Sequence, residues 1–256
     1  MPGEGEVVAT LVRRTLDADP RRDARRQAVL LLPGWDDYFF QVHLAELFEA
    51  NDYTVYALDP RRAGRSLRNP DYRDYVESLD EVASEIDAAF AIIAAHQRKV
   101  IVHAHSTGGL TAALWASKNP GRLAGLALNA PWLGLWGPGV YAPALERLIG
   151  GLASMAPLFR FPLPDPGMGR EVREASERWG IDLALKAPSD VPVRAGWLSA
   201  ILDAQRRVRW GLGIEAPIFV ACSTRSTLLG SRLRRGRTSD VVLDVHTIAR
   251  LAPRLG

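Results

Sequence analysis

Cysteine is almost absent from this chain: Cys222 is the only one in 256 residues, so no internal disulfide can form and a disulfide-stapled secreted scaffold is excluded. Long apolar runs are missing as well. The most apolar stretch, Leu133 to Phe161, is broken by Gly134, Gly137, Pro138, Gly139, Pro143 and Pro157 and carries Glu146 and Arg147, so it falls short of the ~20 uninterrupted apolar residues that an integral membrane helix needs. The N-terminus, MPGEGEVV, is acidic where a secretory leader would be basic and then apolar. Cytoplasmic residence is the expectation. The formal charge of +3 is spread along the chain with no basic stripe interleaved with aromatics, so nucleic acid is not an expected partner. Neither internal repeats nor low-complexity segments are visible.

What the chain does have is apolar content, 47%, enough for one large core at this length. Val7 to Val12 and Ala28 to Leu32 read as strands, the second closed by Pro33-Gly34. Phe39, Phe40, His43, Leu44, Leu47 and Phe48 recur at helical spacing, and Thr54 to Leu58 returns to a strand. A second such unit follows: Leu79, Val82, Ala83, Ile86, Phe90 and Ile93 mark one helical face, and Lys99 to His103 reads as a buried strand with a sharp turn from Ala104. Helix Leu110 to Ser117, strand Leu123 to Leu128, strand Pro217 to Ala221 and a helical pattern from Val241 to Leu251 complete the series. Alternation of this kind predicts a mostly parallel sheet with helices on both faces, the α/β class. Between Pro131 and Gly213 glycine, proline and tryptophan become frequent. A structureless loop of that length is improbable in a compact domain, so residues 131–213 are expected to form a helical cap insertion, with helices at Ala142 to Met155 and Val193 to Trp210. Residues 1–130 and 214–256 are then the two parts of the core.

The segment Val100-Ile-Val-His-Ala-His-Ser-Thr-Gly-Gly-Leu110 sets Ser106 directly between an apolar strand and a helix, with Ala104 two residues before and Gly108 two residues after. A nucleophile elbow brings strand and helix backbones so close that only small residues fit at those places. Alanine replaces the usual first glycine, which the steric requirement tolerates. A plain N-cap serine is the competing reading.

With AHSTGGL, the upstream LLPGWDDYFFQ and the intervening YALDPRRAGRS, the chain resembles the α/β-hydrolase branch of monoacylglycerol lipases, lysophospholipase-like proteins and serine aminopeptidase-type hydrolases, over nearly its whole length. The resemblance implies an oxyanion-hole N–H from Trp35, the residue after Gly34, with the Thr107 N–H as second donor. Pro33 stands where such proteins usually carry histidine; proline gives up its own N–H but leaves that of Trp35. The competing reading of Pro33-Gly34 is a simple turn.

The resemblance also implies an acid after the strand ending near Cys222 and then a histidine. Asp240 and Asp244 are the two candidates for the acid. Asp240 is favoured because it opens the helical pattern Val241 to Leu251, where it would otherwise serve as an N-cap; Asp244 would lie one turn into that helix, in solvent. Of the five histidines, His105 and His103 read as packing or hydrogen-bonding residues, and His43 and His96 lie away from the catalytic edge. His246 alone follows the acid, six residues on and in the same helical pattern, so it is the one weak candidate for the base. After Asp240 only 16 residues remain. The helix takes most of them, so the last strand and the histidine loop of the fold are expected to be missing. Pro217 to Ala221 would then be an open sheet edge, inviting self-pairing or a complementing segment.

The expected activity is hydrolysis of a small-molecule carboxylic ester, of lysophospholipase or monoacylglycerol-lipase type, through an acyl-enzyme on Ser106, with no metal and no organic cofactor. The rival expectation is a catalytically incomplete hydrolase-fold protein, acting as a binding or assembly module or as a fragment of a longer enzyme. Arg225, Arg232, Arg234, Arg235 and Arg237 form either a solvated loop or an anion site. Trp132, Trp136, Trp179, Trp197 and Trp210 either pack or line an acyl pocket.

Overall fold

The short apolar runs form one sheet. The computed structural model describes residues 1, 3–14, 27–137, 139–162, 168–186, 191–227 and 239–256. The strands are β1 (Thr10–Arg13), β2 (Gln27–Leu32), β3 (Tyr53–Asp59), β4 (Val100–His105), β5 (Gly125–Asn129) and β6 (Ile218–Ala221). Helices α1 (Val42–Ala50), α2 (Leu79–Ala94) and α3 (Ser106–Lys118) connect the first five; α4 (Ala142–Met155), α5 (Met168–Trp179) and α6 (Ala195–Trp210) lie between β5 and β6; α7 (Val245–Leu251) follows. The strand order is β1-β3-β2-β4-β5-β6, with β1 antiparallel to β3 and the other pairings parallel.

Period-2 alternation divides the core. Ala28, Leu30 and Leu32 of β2, Tyr56 and Leu58 of β3, and Val100, Val102 and Ala104 of β4 point to one face, where they pack with Ile86 and Phe90 of α2, Leu110 and Leu114 of α3, and Trp197 and Ile201 of α6. Val29, Leu31, Val55 and Ala57 point to the other face and meet Phe39 and Ala45 at α1. α2 is opened by a capping box of Ser78 and Glu81, and Glu85 on its inner side holds Arg61 at 2.5 Å. The register continues Leu31, His103, Ala127 and Phe219 across four strands. At the far end of this row Phe219 is 66% exposed. Among the described residues β6 pairs with β5 alone.

Several element boundaries differ from expectation. β1 begins at Thr10 rather than Val7; Phe39 and Phe40 precede α1 instead of belonging to it; β4 runs on to His105 and passes into α3 with no intervening turn. Helix α5 lies within the 131–213 region, where only two helices were expected. The largest correction concerns the C-terminal helix, which starts at Val245 and not at Val241. Asp240 Oδ1 accepts the N–H groups of Val242 (2.8 Å) and Leu243 (2.7 Å) in a local turn, an alternative that aspartate offers the backbone in competition with a helix. Asp244 is the N-cap, taking the His246 N–H at 3.1 Å. It therefore is not the solvated residue one turn into a helix that the periodicity suggested.

Candidate active site

β4 delivers its last residue, His105, straight into α3, so Ser106 sits where an extended chain becomes helical. Its φ is 52°, in the left-handed region that costs a non-glycine residue about 1–3 kcal/mol. Three small residues make room for it. An alanine Cβ at Gly108 would lie 2.1 Å from Pro33 O, one at Gly109 2.9 Å from Pro131 Cβ, and one at Gly34 3.1 Å from Ser106 Cβ. Three chain segments thus converge on one serine: the loop after β2, the β4–α3 turn, and the segment after β5, whose Trp132 donates its N–H to Ser106 O at 3.1 Å. Ala104 is fully buried beneath them.

The structure brings Ser106, Thr107, Gly34 and Trp35 together. Among the described residues the Trp35 N–H has no acceptor, and Thr107 lies in the first turn of α3, whose N–H groups have no intrahelical partner. Unpaired donors on both sides of a serine are what stabilisation of an oxyanion needs. The Ser106 hydroxyl itself makes no hydrogen bond among the described residues.

Asp240, Asp244 and His246 lie on the loop and first turn after β6. Asp240 spends Oδ1 on two backbone amides and leaves Oδ2 without a described partner. Asp244 is fully engaged: Oδ1 takes the His246 N–H, and Oδ2 takes Thr247 Oγ1 at 2.8 Å and the Gly137 N–H at 3.3 Å. Burial works to raise its pKa, but these hydrogen bonds outweigh it and hold the carboxyl below the usual range. Trp136 Nε1 to Val242 O (2.8 Å) and Asp244 to Gly137 stitch this loop to residues 131–137, the segment that starts against Ser106. No histidine is hydrogen-bonded to Ser106, Asp240 or Asp244 through its ring among the described residues. His246 is exposed. His105 Nδ1 lies 3.0 Å from Asn129 O, which puts the proton on Nδ1 because a carbonyl can only accept. His103 packs edge-on against Phe48, and its pKa is lowered, first by burial and then by the charge of His105. His43 stacks on Trp179 at 4.6 Å.

Above the serine, Trp197 at the start of α6 packs on Trp35 (5.0 Å between ring centres) and Trp132 (5.9 Å). Trp179 and Trp210 stand apart from this trio, 43% and 75% exposed. A cavity of about 310 Å³ opens beside the elbow, lined by Pro33, Asp37, Phe40, His105, Asn129 and Lys186 among others. The sequence assigns no role to Asp36, Asp37, Arg73 or Lys186, although Asp36 and Asp37 directly follow the oxyanion candidate; Asp36 meets Arg73 from 37 positions away, while Asp37–Lys186 and Arg73–Leu185 join residues more than a hundred apart, and none of these pairs leaves a local signal. Of the arginine cluster, Arg232, Arg234, Arg235 and Arg237 lie outside the described residues.

Residues 23–228 match the family of serine aminopeptidase, S33, and the chain belongs to it. No curated protein sequence matches. Solved structures share the fold: a monoacylglycerol lipase from Paleococcus ferrophilus (19% identity, TM-score 0.65, 98% of this chain and 83% of that one), a soluble variant of the monoglyceride lipase of Saccharomyces cerevisiae with a substrate analogue (16%, 0.60, 86% and 78%), and a thermostable carboxyl esterase from Bacillus coagulans with glycerol (13%, 0.66, 99% and 84%). The architecture is the α/β-hydrolase fold, and membership of this family makes the protein a hydrolase. No helix among the described residues is long and apolar enough to cross a membrane.

Proposed function

We propose that this protein cleaves small carboxylic esters, of the monoacylglycerol or lysophospholipid kind, by forming an acyl-enzyme on Ser106. The observation that carries the reading is the strained serine, without a hydrogen bond to its hydroxyl among the described residues, close to Gly34 and flanked in sequence and space by the amides of Trp35 and Thr107. In this mechanism Ser106 Oγ attacks the ester carbonyl and its proton passes to a base. The carbonyl oxygen, now negative, is held by the two amides; collapse expels the alcohol and leaves the acyl group on Oγ, which water then removes. Asp240 is the acid of the site, its unspent Oδ2 left to orient an imidazole while Oδ1 fixes its own loop. Residues 131–213 act as a cap over a core made of 1–130 and 214–256, and substrate enters between them. The exposed single thiol, Cys222, supports action in the cytoplasm.

A second reading has a specific observation in its favour, since no histidine ring meets Ser106 or Asp240 among the described residues. On that reading the chain binds rather than turns over, or takes its histidine from a strand added beside β6, at the edge without a strand partner among the described residues. Hydrolysis of p-nitrophenyl esters with and without added imidazole separates the two. If only the base is lacking, imidazole raises the rate in the native protein above the hydrolysis that imidazole causes by itself, and in Ser106→Ala it adds nothing beyond that background. Efficient hydrolysis without imidazole that is lost in His246→Ala would instead make His246 the base, and a rate unmoved in Ser106→Ala would remove the proposal.

A further inference from the structure

The loop that carries the Trp35 amide is held from two sides, and one of them is the helical region between β5 and β6. On the core side Phe39 N–H donates to Asp59 Oδ1 at 2.9 Å, and Gly64 presses so close to Tyr38 that no side chain would fit between them. On the other side stands the turn Asp182 to Lys186, closed by Leu185 N–H and Lys186 N–H to Asp182 O. Four contacts cross from this turn. The Asp182 N–H donates to the Tyr38 hydroxyl at 2.7 Å, and Lys186 Nζ donates to the buried Asp37 Oδ1 at 3.0 Å. Arg73 forks to Leu185 O (2.9 Å) and Ala184 O (3.4 Å), and the same guanidinium lies 3.6 Å from the Asp36 carboxylate. Three consecutive residues, Asp36, Asp37 and Tyr38, are thereby tied to one turn. They begin one bond after Trp35, and Asp36 has a φ of 51°, a conformation that persists only where surroundings enforce it.

Resting on the reading of Trp35 N–H as an oxyanion donor, we propose that Arg73 and Lys186 are positioning residues that lock the oxyanion loop to the turn Asp182–Lys186, so that the donor is aimed only when this turn is seated. Two cations from different parts of the chain neutralise the two adjacent carboxylates, and their placement fixes the peptide that bears the donor. Access to the cavity beside the elbow, which Asp37 and Lys186 both line, is thereby coupled to readiness for the reaction.

The test combines amide hydrogen exchange over residues 33–40 with the kinetics of Ser106 modification by a fluorophosphonate, in the native protein, Arg73→Ala, Lys186→Ala and Tyr38→Phe. The last removes one hydroxyl and keeps the ring, so it is informative even if a charge variant folds poorly. The proposal expects faster exchange at 33–40 in each variant. It also expects a limiting modification rate lowered by about ten-fold, below the ~100-fold attached to a 1 Å misplacement, with the half-saturating probe concentration unchanged. Lys186→Arg should restore most of the rate. Exchange at 33–40 that stays native-like in all three variants would overturn the lock, and so would a loosened loop with an undiminished rate. If the native protein takes no probe at all, the nucleophile reading fails while the exchange result still decides the lock.

Discussion

Gly108→Ala is the substitution that most sharply probes the elbow. On α3 alone it should help, since alanine in a helix is favoured over glycine by about 1 kcal/mol. The structure opposes it. The new Cβ would lie 2.1 Å from Pro33 O, 3.0 Å from Pro33 C and 3.2 Å from Leu32 O, all backbone atoms that cannot swing aside. Reaching even 3.0 Å from the oxygen requires the helix and the β2 loop to part by about 1 Å. Overpacking of this kind costs about 1–3 kcal/mol, so after the propensity gain the net loss is about 2 kcal/mol at most, or roughly 4–8 °C in Tm for a chain of this size. Reactivity should fall further. The displaced backbone is the one leading to Trp35, and a 1 Å misplacement costs about 100-fold. Calorimetry and probe-labelling rates measure the two effects, with Gly151→Ala as control, because nothing lies within 4 Å of a Cβ there. A Gly108→Ala protein as stable and as reactive as the native one would refute the close approach on which the site is built.

Asp74 Oδ2 is sealed from solvent without a partner, and burial first, then the Asp36 charge, pushes its carboxyl well above the usual range. Its contribution is full below the ordinary carboxylate value and is lost as pH rises through the elevated one, at up to about 1.4 kcal/mol per pH unit. Urea unfolding of Asp74→Asn should lack this decline, and a profile parallel to the native one would contradict the assignment; Arg73, Asp36 and Asp37 are the charges around it. Glu4 behaves oppositely: hydrogen bonds from Arg62, against burial, lower its pKa, so its contribution is lost as pH falls through that lowered value. Glu4→Gln, which breaks a pair with side chains 3% and 7% exposed, should destabilise by about 3 kcal/mol, and a change in unfolding free energy under about 1 kcal/mol would show the pair to be a surface one in effect. Phe219→Lys should suppress self-association through the edge of β6 that has no strand partner among the described residues in sedimentation experiments, whereas a native protein monomeric at every concentration would remove the need for an edge partner.

The sheet and the elbow were legible because each rests on local pattern: short apolar runs for β2, β3 and β4, and small residues around Ser106. α4 was readable from its own apolar periodicity between Ala142 and Met155. α5 was not, because its sequence is dominated by charged residues and offers little apolar signal. The C-terminal helix was misplaced because Val241 and Val242 continue the spacing of Val245 and Ile248, while the competing turn at Asp240 is decided by one side-chain oxygen. The contacts of Arg73 and Lys186 join residues 112 and 149 positions apart. No periodicity or motif encodes such pairs, so the part of the site that depends on them became visible only in three dimensions.

On the proposed function, Ser106 is a nucleophile held ready by the fold. The measurement that meets it most directly is mass spectrometry of the intact and digested protein after reaction with a fluorophosphonate. A nucleophilic Ser106 gives a single adduct on the peptide containing Ser106, accelerated by imidazole and absent from Ser106→Ala. An adduct on another residue, or one that persists in the alanine variant, would contradict it.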